Sequence, residues 1–161
     1  MTIVIRKAER TDFEMLFTIS RRTIVDNFSS FLESETLQNW ISKDSMEQYF
    51  SDNLDNCRTI ETQGILAGFC VSKGKTIDLL LIDNRQQRRG LGAMLLGYVE
   101  RELFRLDPEL TTDSFVANQK ADAFFLATGW RAGEEFEDTL TSRRKRRYSK
   151  IKPADQEEDF Q

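Results

Sequence analysis

Hydrophobic positions follow a helical period in the first third of the chain and a strand pattern after it. Phe13, Leu16 and Phe17, and later Ile24, recur at the spacing of an amphipathic helix, and similar helical stretches continue to residue 50. From residue 58 onward, short segments rich in β-forming residues are separated by glycine-containing turns. The predicted strands are residues 2–5, 58–62, 65–72, 75–82, 111–117, 130–136 and 146–151, and the later predicted helices are residues 92–104 and 119–128.

The middle of the chain predicts the centre of a sheet. Residues 58–62, 65–72 and 75–82 follow one another through short turns, which is typical of an antiparallel meander. Residues 79–82 are continuously apolar, as expected of a central strand that is buried on both faces. The complete order is strand, helices, three strands, helix, strand, helix and two strands, which predicts a mixed α and β fold.

Length and composition predict one domain. A chain of 161 residues matches the usual size of a single domain. We expect that domain to cover residues 1–151, followed by a polar, acidic tail at 152–161. No apolar run approaches the roughly 20 residues of a membrane span, and no signal peptide is visible. The formal net charge of −4 argues against a general nucleic-acid binder. We therefore expect a soluble, cytoplasmic protein without a membrane partner.

Composition also removes several catalytic chemistries. With 0 histidines, the chain cannot form a Ser-His-Asp triad, a Cys-His pair or an imidazole zinc site. Cys57 and Cys70 are too far apart in sequence for a C-x-x-C pair, so we expect no metal. Carboxylates, tyrosines, lysines, a thiol or backbone amides must carry any catalysis.

A glycine-containing loop joins the apolar strand to the next helix. It reads Gln87-Arg-Arg-Gly-Leu-Gly92, and its glycines allow backbone amides to approach a ligand closely. A helix N-terminus favours anions, and two arginines add charged donors. The loop therefore predicts a phosphate or pyrophosphate site. It is not a Rossmann fingerprint, because Leu95 stands where a third glycine is needed, and it lacks the Gly-Lys of a P-loop.

A second motif identifies a family. The loop resembles the Q/R-x-x-G-x-G/A hallmark of the GNAT superfamily of N-acyltransferases. Residues 118–130, Asn-Gln-Lys-Ala-Asp-Ala-Phe-Phe-Leu-Ala-Thr-Gly-Trp, match that family's N-x-x-A-x-x-F-Y-x-x-x-G-F block in spacing. The resemblance covers nearly the whole chain up to about Ile151. It implies a mostly antiparallel central sheet of six or seven strands whose central strands splay apart, flanked by about four helices.

The resemblance also implies an acetyl-CoA site. Backbone groups of Leu80, Leu81 and Ile82 would pair with the pantetheine arm like an added strand, and the Leu81 amide would polarise the thioester carbonyl. Asn118 would donate to the pantetheine and Phe124 would pack along it, although such apolar side chains are equally typical of a core. The residues expected to wrap the pyrophosphate are Gln87, Arg88, Arg89, Gly90, Leu91, Gly92 and Ala93.

One departure concerns the general acid. Phe125 stands where many family members carry a tyrosine that protonates the departing thiolate, and a phenyl ring has no proton to donate. The thiol of CoA has a pKa near that of free cysteine, roughly 8.5, so its thiolate can leave without being protonated. Cys70, Ser114 and a water are the alternatives as acid, and the sequence selects none of them.

The general base is a separate question. Asp78 precedes Leu80 by two residues, so a regular strand would place both on one face and bring the carboxylate to the acceptor amine. A purely structural carboxylate is the alternative. Glu33 and Glu35, in the helical region that shapes acceptor sites in the family, are weaker candidates.

Two charged segments remain. Residues 133–138 carry four carboxylates near the expected acceptor rim, where they would attract a cationic amine or simply form a solvated hairpin. The basic run Arg143–Arg147 is expected to be solvated on a final strand, with contacts to nucleic acid, to a nuclear carrier or to the 3′-phosphate of CoA as alternatives.

These features predict an N-acetyltransferase that transfers an acetyl group from acetyl-CoA directly to a primary amine. A covalent route through cysteine is disfavoured, because Cys57 is expected in a loop remote from both motifs. The alternative function is a non-catalytic acyl-CoA-binding or sensor domain, and a third is nucleic-acid binding. The sequence identifies neither the acceptor nor the oligomeric state, and a homodimer is one of the states that it leaves open.

Overall fold

The computed structural model describes residues 2–87 and 89–155, and within them seven strands form one sheet with helices on both faces. The strands are β1 (Ile3–Lys7), β2 (Cys57–Thr62), β3 (Ile65–Lys73), β4 (Thr76–Ile82), β5 (Glu109–Phe115), β6 (Arg131–Glu137) and β7 (Arg144–Ile151). The helices are α1 (Phe13–Phe28), α2 (Ser34–Trp40), α3 (Lys43–Asp52), α4 (Leu91–Leu103) and α5 (Gln119–Ala127).

The sheet has the order β1-β2-β3-β4-β5-β7-β6. Among these described strands, β4 and β5 pair in parallel, and every other neighbouring pair is antiparallel. The parallel pair requires a crossover connection, which α4 provides. The expected mixed, mostly antiparallel fold is therefore confirmed.

Two apolar clusters cover the two faces of the sheet. The first core contains Leu81 and Phe69 and packs beneath α1, α2 and α3. The second core contains Ile77 and Leu95 and packs beneath α4 and α5. Consecutive residues of β4 contribute to opposite cores, so this strand is buried from both sides, as its apolar sequence predicts.

Two expectations change at this level. Cys57 does not lie in a loop: it opens β2 and is 1% exposed, because the chain enters the sheet one residue earlier than predicted. The final two strands do form a hairpin. Within the sheet, β7 is the inner strand of that hairpin and pairs with β5, whereas β6 is the edge strand. Most of the predicted tail, residues 156–161, lies outside the described residues.

Candidate functional site

The central feature of the candidate site is the separation of β4 from β5. Their pairing consists of Thr76 with Thr111 and Ile77 with Thr112, and the Thr112 hydroxyl donates to the Ile77 carbonyl at 2.8 Å. Every residue of both strands is described, and no pairing between them follows Ile77. Residues 79–82 are therefore paired with β3 on one side and have an open strand edge on the other. The expected splay is present.

A β-bulge at Asp78 decides which way the side chains of β4 point. Val71 of β3 pairs with Leu79 and Ser72 pairs with Ile77, so Asp78 is the extra residue. Leu79 and Leu81 pack with the first core, whereas Leu80 and Ile82 pack with the second.

Asp78 therefore does not share a face with Leu80, as a regular strand would require. The Tyr49 hydroxyl, from α3 on the first-core side, donates to its carboxylate. The prediction of one shared face is wrong, because the inserted residue shifts the two-residue alternation.

The loop after β4 ends in a free helix terminus. Gly90 is the N-cap of α4 and has φ of 75°, a left-handed conformation that favours glycine. The first bond within the helix runs from Met94 N to Gly90 O at 3.1 Å, so the amides of Leu91, Gly92 and Ala93 precede it. A Cβ on Gly90 would meet no atom within 4 Å. Free amides, open space and the positive end of α4 coincide, which is the geometry of an anion site.

The loop side chains are held by local hydrogen bonds. Gln87 donates through Nε2 to Asn84 Oδ1 at 2.8 Å and to the Ile82 carbonyl at 3.2 Å. Arg89 donates to Gln86 Oε1 at 2.5 Å and is exposed. The Leu91 side chain is buried in the second core, so only its backbone can face a ligand. Arg88 lies outside the described residues.

The loop is also tied to α1 by contacts that the sequence does not predict. Arg22 donates to Asp83 Oδ2 at 2.8 Å, and Asn84 donates to Asp26. The Asp83 side chain is only 7% exposed, so this ion pair is substantially desolvated. These bonds fix the end of β4, where the loop begins.

Phe124 lies beside this helix end, and Asn118 begins the helix that carries Phe124. A Cβ on Gly92 would lie 3.3 Å from Phe124 Cε1 and 3.6 Å from Ile82 Cγ1, so α4, α5 and the end of β4 meet here. Asn118 is the N-cap of α5, and its Oδ1 accepts from Ala121 N at 3.2 Å. Its Nδ2 has no hydrogen-bond partner among the described residues and can donate to a ligand.

The candidate acids differ in accessibility. Phe125 is buried against Trp130 and Tyr148, with ring centroids 5.6 and 5.4 Å away, so it belongs to the second core. Cys70 is fully buried, and burial raises the pKa of its thiol, which removes it as an acid at the strand edge. Burial raises the pKa of Tyr148 to about 12, and its hydroxyl already donates to Asp122. Ser114 is half-buried on β5.

The three candidate bases differ in their exposure and in the element on which they lie. Besides Tyr49, Asp78 has Lys73 nearby, with Nζ 3.7 Å from Oδ2, and its side chain is 34% exposed. Glu33 is the exposed N-cap residue of α2, and Glu35 lies exposed in the first turn of that helix. Of these three carboxylates, Asp78 is the one on the separated strand.

The acidic and basic segments pair with each other. Arg146 lies 3.4 Å from Glu135 and Lys145 lies 3.6 Å from Asp138, across the hairpin of β6 and β7. Arg147 binds Asp113 on the neighbouring β5 at 2.9 Å. Three residues of the basic run, Lys145, Arg146 and Arg147, are thus paired with carboxylates of the same sheet and its hairpin.

Within 2–87 and 89–155, no helix is long and apolar enough to cross a membrane. Across the same ranges, no group of three or more cysteine, aspartate or glutamate side chains is placed to hold a metal ion.

Comparison with known proteins places this geometry in context. Residues 18–139 match the family model of the acetyltransferase (GNAT) domain. No curated protein matches the chain. Many solved structures share the fold.

Three of these structures illustrate the likeness. YjaB from Escherichia coli is 24% identical, with a TM-score of 0.77 and coverage of 92% of this chain and 97% of that one. A GCN5-related N-acetyltransferase from Rhodopseudomonas palustris is 21% identical, with a TM-score of 0.78 and coverage of 94% and 97%. The PaiA N-acetyltransferase from Thermoplasma acidophilum, in complex with coenzyme A, is 19% identical, with a TM-score of 0.77 and coverage of 94% and 100%. At these identities the likeness concerns the fold.

Proposed function

The chain belongs to the GNAT family of acetyltransferases, and we propose that it transfers an acetyl group from acetyl-CoA to a primary amine. The observation that carries this proposal is the open edge of β4 beside the free N-terminus of α4. An open strand edge can pair with an extended amide-containing chain, and a helix N-terminus can hold a pyrophosphate. Pantetheine and pyrophosphate occur in that order in CoA.

The described residues fit this ligand from one end to the other. The amides of Leu91, Gly92 and Ala93 would hold the pyrophosphate, with Arg89 as a charged donor. Backbone groups of residues 80–82 would hold the pantetheine, and Asn118 Nδ2 would donate to it. Phe124, beside Gly92, would pack along it. The complex of coenzyme A with the structurally similar PaiA enzyme supports this assignment.

Acetyl-CoA supplies an activated thioester, and the residues of the chain must orient it and remove the first of the two protons that an ammonium acceptor loses on becoming an amide. The amine nitrogen forms a bond to the acetyl carbon, and the bond from that carbon to sulfur breaks. An amide from β4, assigned here to Leu81, would stabilise the negative charge on the carbonyl oxygen. Asp78 would take the proton from the acceptor ammonium, directly or through a water.

No protonated side chain is required for the leaving group. Phe125 is a core residue, and the thiol of CoA has a pKa near that of free cysteine, roughly 8.5. The sulfur can therefore leave as a thiolate, and the second proton that the nitrogen loses on becoming an amide goes to that thiolate or to water. The absence of the usual tyrosine makes catalysis slower without abolishing it.

Direct transfer also agrees with the state of the two thiols. Cys57 and Cys70 are both buried, and burial raises the pKa of Cys57 to about 12. A buried thiol that stays protonated is a poor nucleophile. Neither cysteine is available to carry an acetyl group between donor and acceptor.

A thiol-release assay with acetyl-CoA and a panel of amines, amino acids, aminoglycosides and basic peptides tests the proposal, with mass spectrometry of the product. We expect turnover with at least one acceptor well above the hydrolysis background. Asp78→Asn should lower kcat by about 10²–10⁴-fold, the usual effect of removing a general base. Glu35→Gln, a matched neutralisation on α2, should leave kcat unchanged.

The alternative is a non-catalytic acyl-CoA sensor, which the buried Phe125 favours. Both functions predict acetyl-CoA binding, so affinity does not separate them. A folded protein that binds acetyl-CoA but acetylates nothing in the panel would support the sensor.

A further inference from the structure

A primary ammonium group already lies beside Asp78. Lys73, the last residue of β3, places Nζ 3.7 Å from Asp78 Oδ2 and 5.5 Å from the centroid of the Tyr49 ring. A carboxylate and an aromatic face are the two partners that an alkylammonium ion prefers. The Lys73 side chain is 52% exposed, so a ligand can displace it without opening the core.

We propose that Asp78 and Tyr49 form the ammonium-binding subsite for the acceptor, and that Lys73 occupies this subsite until a cationic amine displaces it. This inference rests on the proposed transfer of an acetyl group to an amine. It names the chemical class of the acceptor as an alkylamine that is protonated when it binds.

Tyr49 contributes in two ways. Its hydroxyl donates to Asp78 and its ring packs edge-on against Phe50 at 5.4 Å, so core packing holds the tyrosine in place. Burial, followed by the bond to Asp78, raises the pKa of Tyr49, which keeps the hydroxyl a donor. Tyr49 is therefore a positioning residue that fixes the carboxylate and offers a ring face to the cation.

A groove continues outward from this subsite along α3. It has a volume of about 610 Å³, and Tyr49 and Lys73 are among its lining residues. Its other lining residues include Asp44 and Asp52, and Gln48 donates to Asp52 Oδ1 at 2.8 Å. Two carboxylates against one lysine give the groove a negative lining, which favours a positively charged acceptor and disfavours an acidic one.

The order of features along β4 suits a donor and an acceptor that meet on this strand. Residues 80–82 lie toward the CoA loop, Asp78 follows toward the other end, and the hairpin with Lys73 and the groove lies beyond it. An amine that enters through the groove thus reaches Asp78 before it reaches the thioester. Displacement of Lys73 leaves the carboxylate in contact with the ammonium whose proton it must remove.

Binding of n-butyltrimethylammonium tests the subsite without any reaction, because a quaternary nitrogen cannot be acetylated. The protein is titrated in the presence of coenzyme A and followed by backbone amide NMR. We expect shifts centred on Tyr49, Lys73 and Asp78. Lys73→Met should tighten binding by about two- to fivefold, the fold-change equivalent to one exposed cation–ring contact.

Two matched variants and one matched ligand sharpen the result. Lys75→Met removes an exposed lysine from the same hairpin and should leave the dissociation constant unchanged. Tyr49→Leu should weaken binding by at least about twofold, as loss of the ring contact requires. 4-(Trimethylammonio)butanoate should bind more weakly than the butyl compound, because its carboxylate faces the negative groove.

The outcomes separate this inference from the proposed function. Equal affinities in the wild type, Lys73→Met and Tyr49→Leu, or shifts elsewhere, would overturn the subsite even if the enzyme acetylates amines. Site-specific binding that tightens in Lys73→Met supports the subsite even if the thiol-release panel shows no turnover. Loss of turnover alone therefore does not decide the question.

Discussion

Gly90 offers the most direct test of the anion site, because its contributions to stability and to binding can be separated. A non-glycine residue in the left-handed conformation costs about 1–2 kcal/mol, and Gly90 has φ of 75°. For a chain of this size, about 1 kcal/mol lowers Tm by about 2–4 °C, so Gly90→Val should lower it by about 2–8 °C. Asparagine tolerates this conformation, so Gly90→Asn should remain close to wild-type stability.

The expected effect on binding is larger than the effect on stability. Any side chain at Gly90 enters the open space at the end of α4, where the free amides would meet the pyrophosphate. Loss of two hydrogen bonds to a charged group, at about 1.5–3 kcal/mol each, corresponds to at least about a 100-fold loss of affinity. Both variants should show this loss when acetyl-CoA binding is measured by calorimetry.

Gly97→Ala is the matched control within the same helix. A Cβ on Gly97 would lie 3.8 Å from its nearest neighbour, Arg101 Nη1, which is an ordinary contact. Alanine in a helix interior should stabilise the protein by roughly 0.5–1 kcal/mol and leave acetyl-CoA binding unchanged. A folded Gly90→Asn protein with wild-type affinity would refute the assignment of the loop as the pyrophosphate site.

Three further predictions concern buried groups. Cys57 and Cys70 should resist a thiol reagent at neutral pH in the native protein and react with it in denaturant, because burial raises the pKa of both thiols. Mass spectrometry measures the labelling, and labelling of the native protein would contradict this prediction. Glu100→Ala should cost about 3–5 kcal/mol in urea unfolding, because it removes a buried carboxylate that lies 2.7 Å from the mostly covered Lys150 ammonium and accepts from Trp130 Nε1. A loss below about 1 kcal/mol would be inconsistent with that burial. A hydrogen bond from Arg6 on β1 lowers the pKa of Asp12. The ionised Asp12 therefore stabilises the folded state above the unfolded pKa of about 3.9, and this stabilisation is lost as the pH falls from there through the lower pKa of the folded state. Unfolding measured between pH 5 and 3 should therefore depend less on pH in Asp12→Asn than in the wild type, and equal slopes would exclude this role.

The elements and the loop were predictable because their signals are local. An apolar run, a glycine pair at a helix start and an asparagine helix cap each act within a few residues of sequence. Gly90 and Asn118 were therefore assigned to the correct structural positions, a loop before one helix and the start of another. The family motifs extended these local signals to a complete fold.

The acceptor side was not predictable, because its geometry depends on contacts between distant segments. The bulge at Asp78 follows from the pairing of β3 with β4, and no single residue in the sequence predicts it. Tyr49 reaches Asp78 across 29 positions of the chain. A pattern with a period of two assigns the wrong face as soon as one residue is inserted.

The donor side and the acceptor side both follow from the way β4 is connected. Because β4 and β5 run in parallel, the chain must cross over between them, and α4 makes that crossover. The helix consequently begins at the carboxyl end of β4, which places its positive end where the two strands have already separated. Ligands bind at such positions in open sheets because strand ends and helix N-termini converge there. The bulge then turns Asp78 away from the face of Leu80 and toward α3. A single strand can thus present an open edge to the proposed donor while the side chain of Asp78 lies where the proposed acceptor would bind.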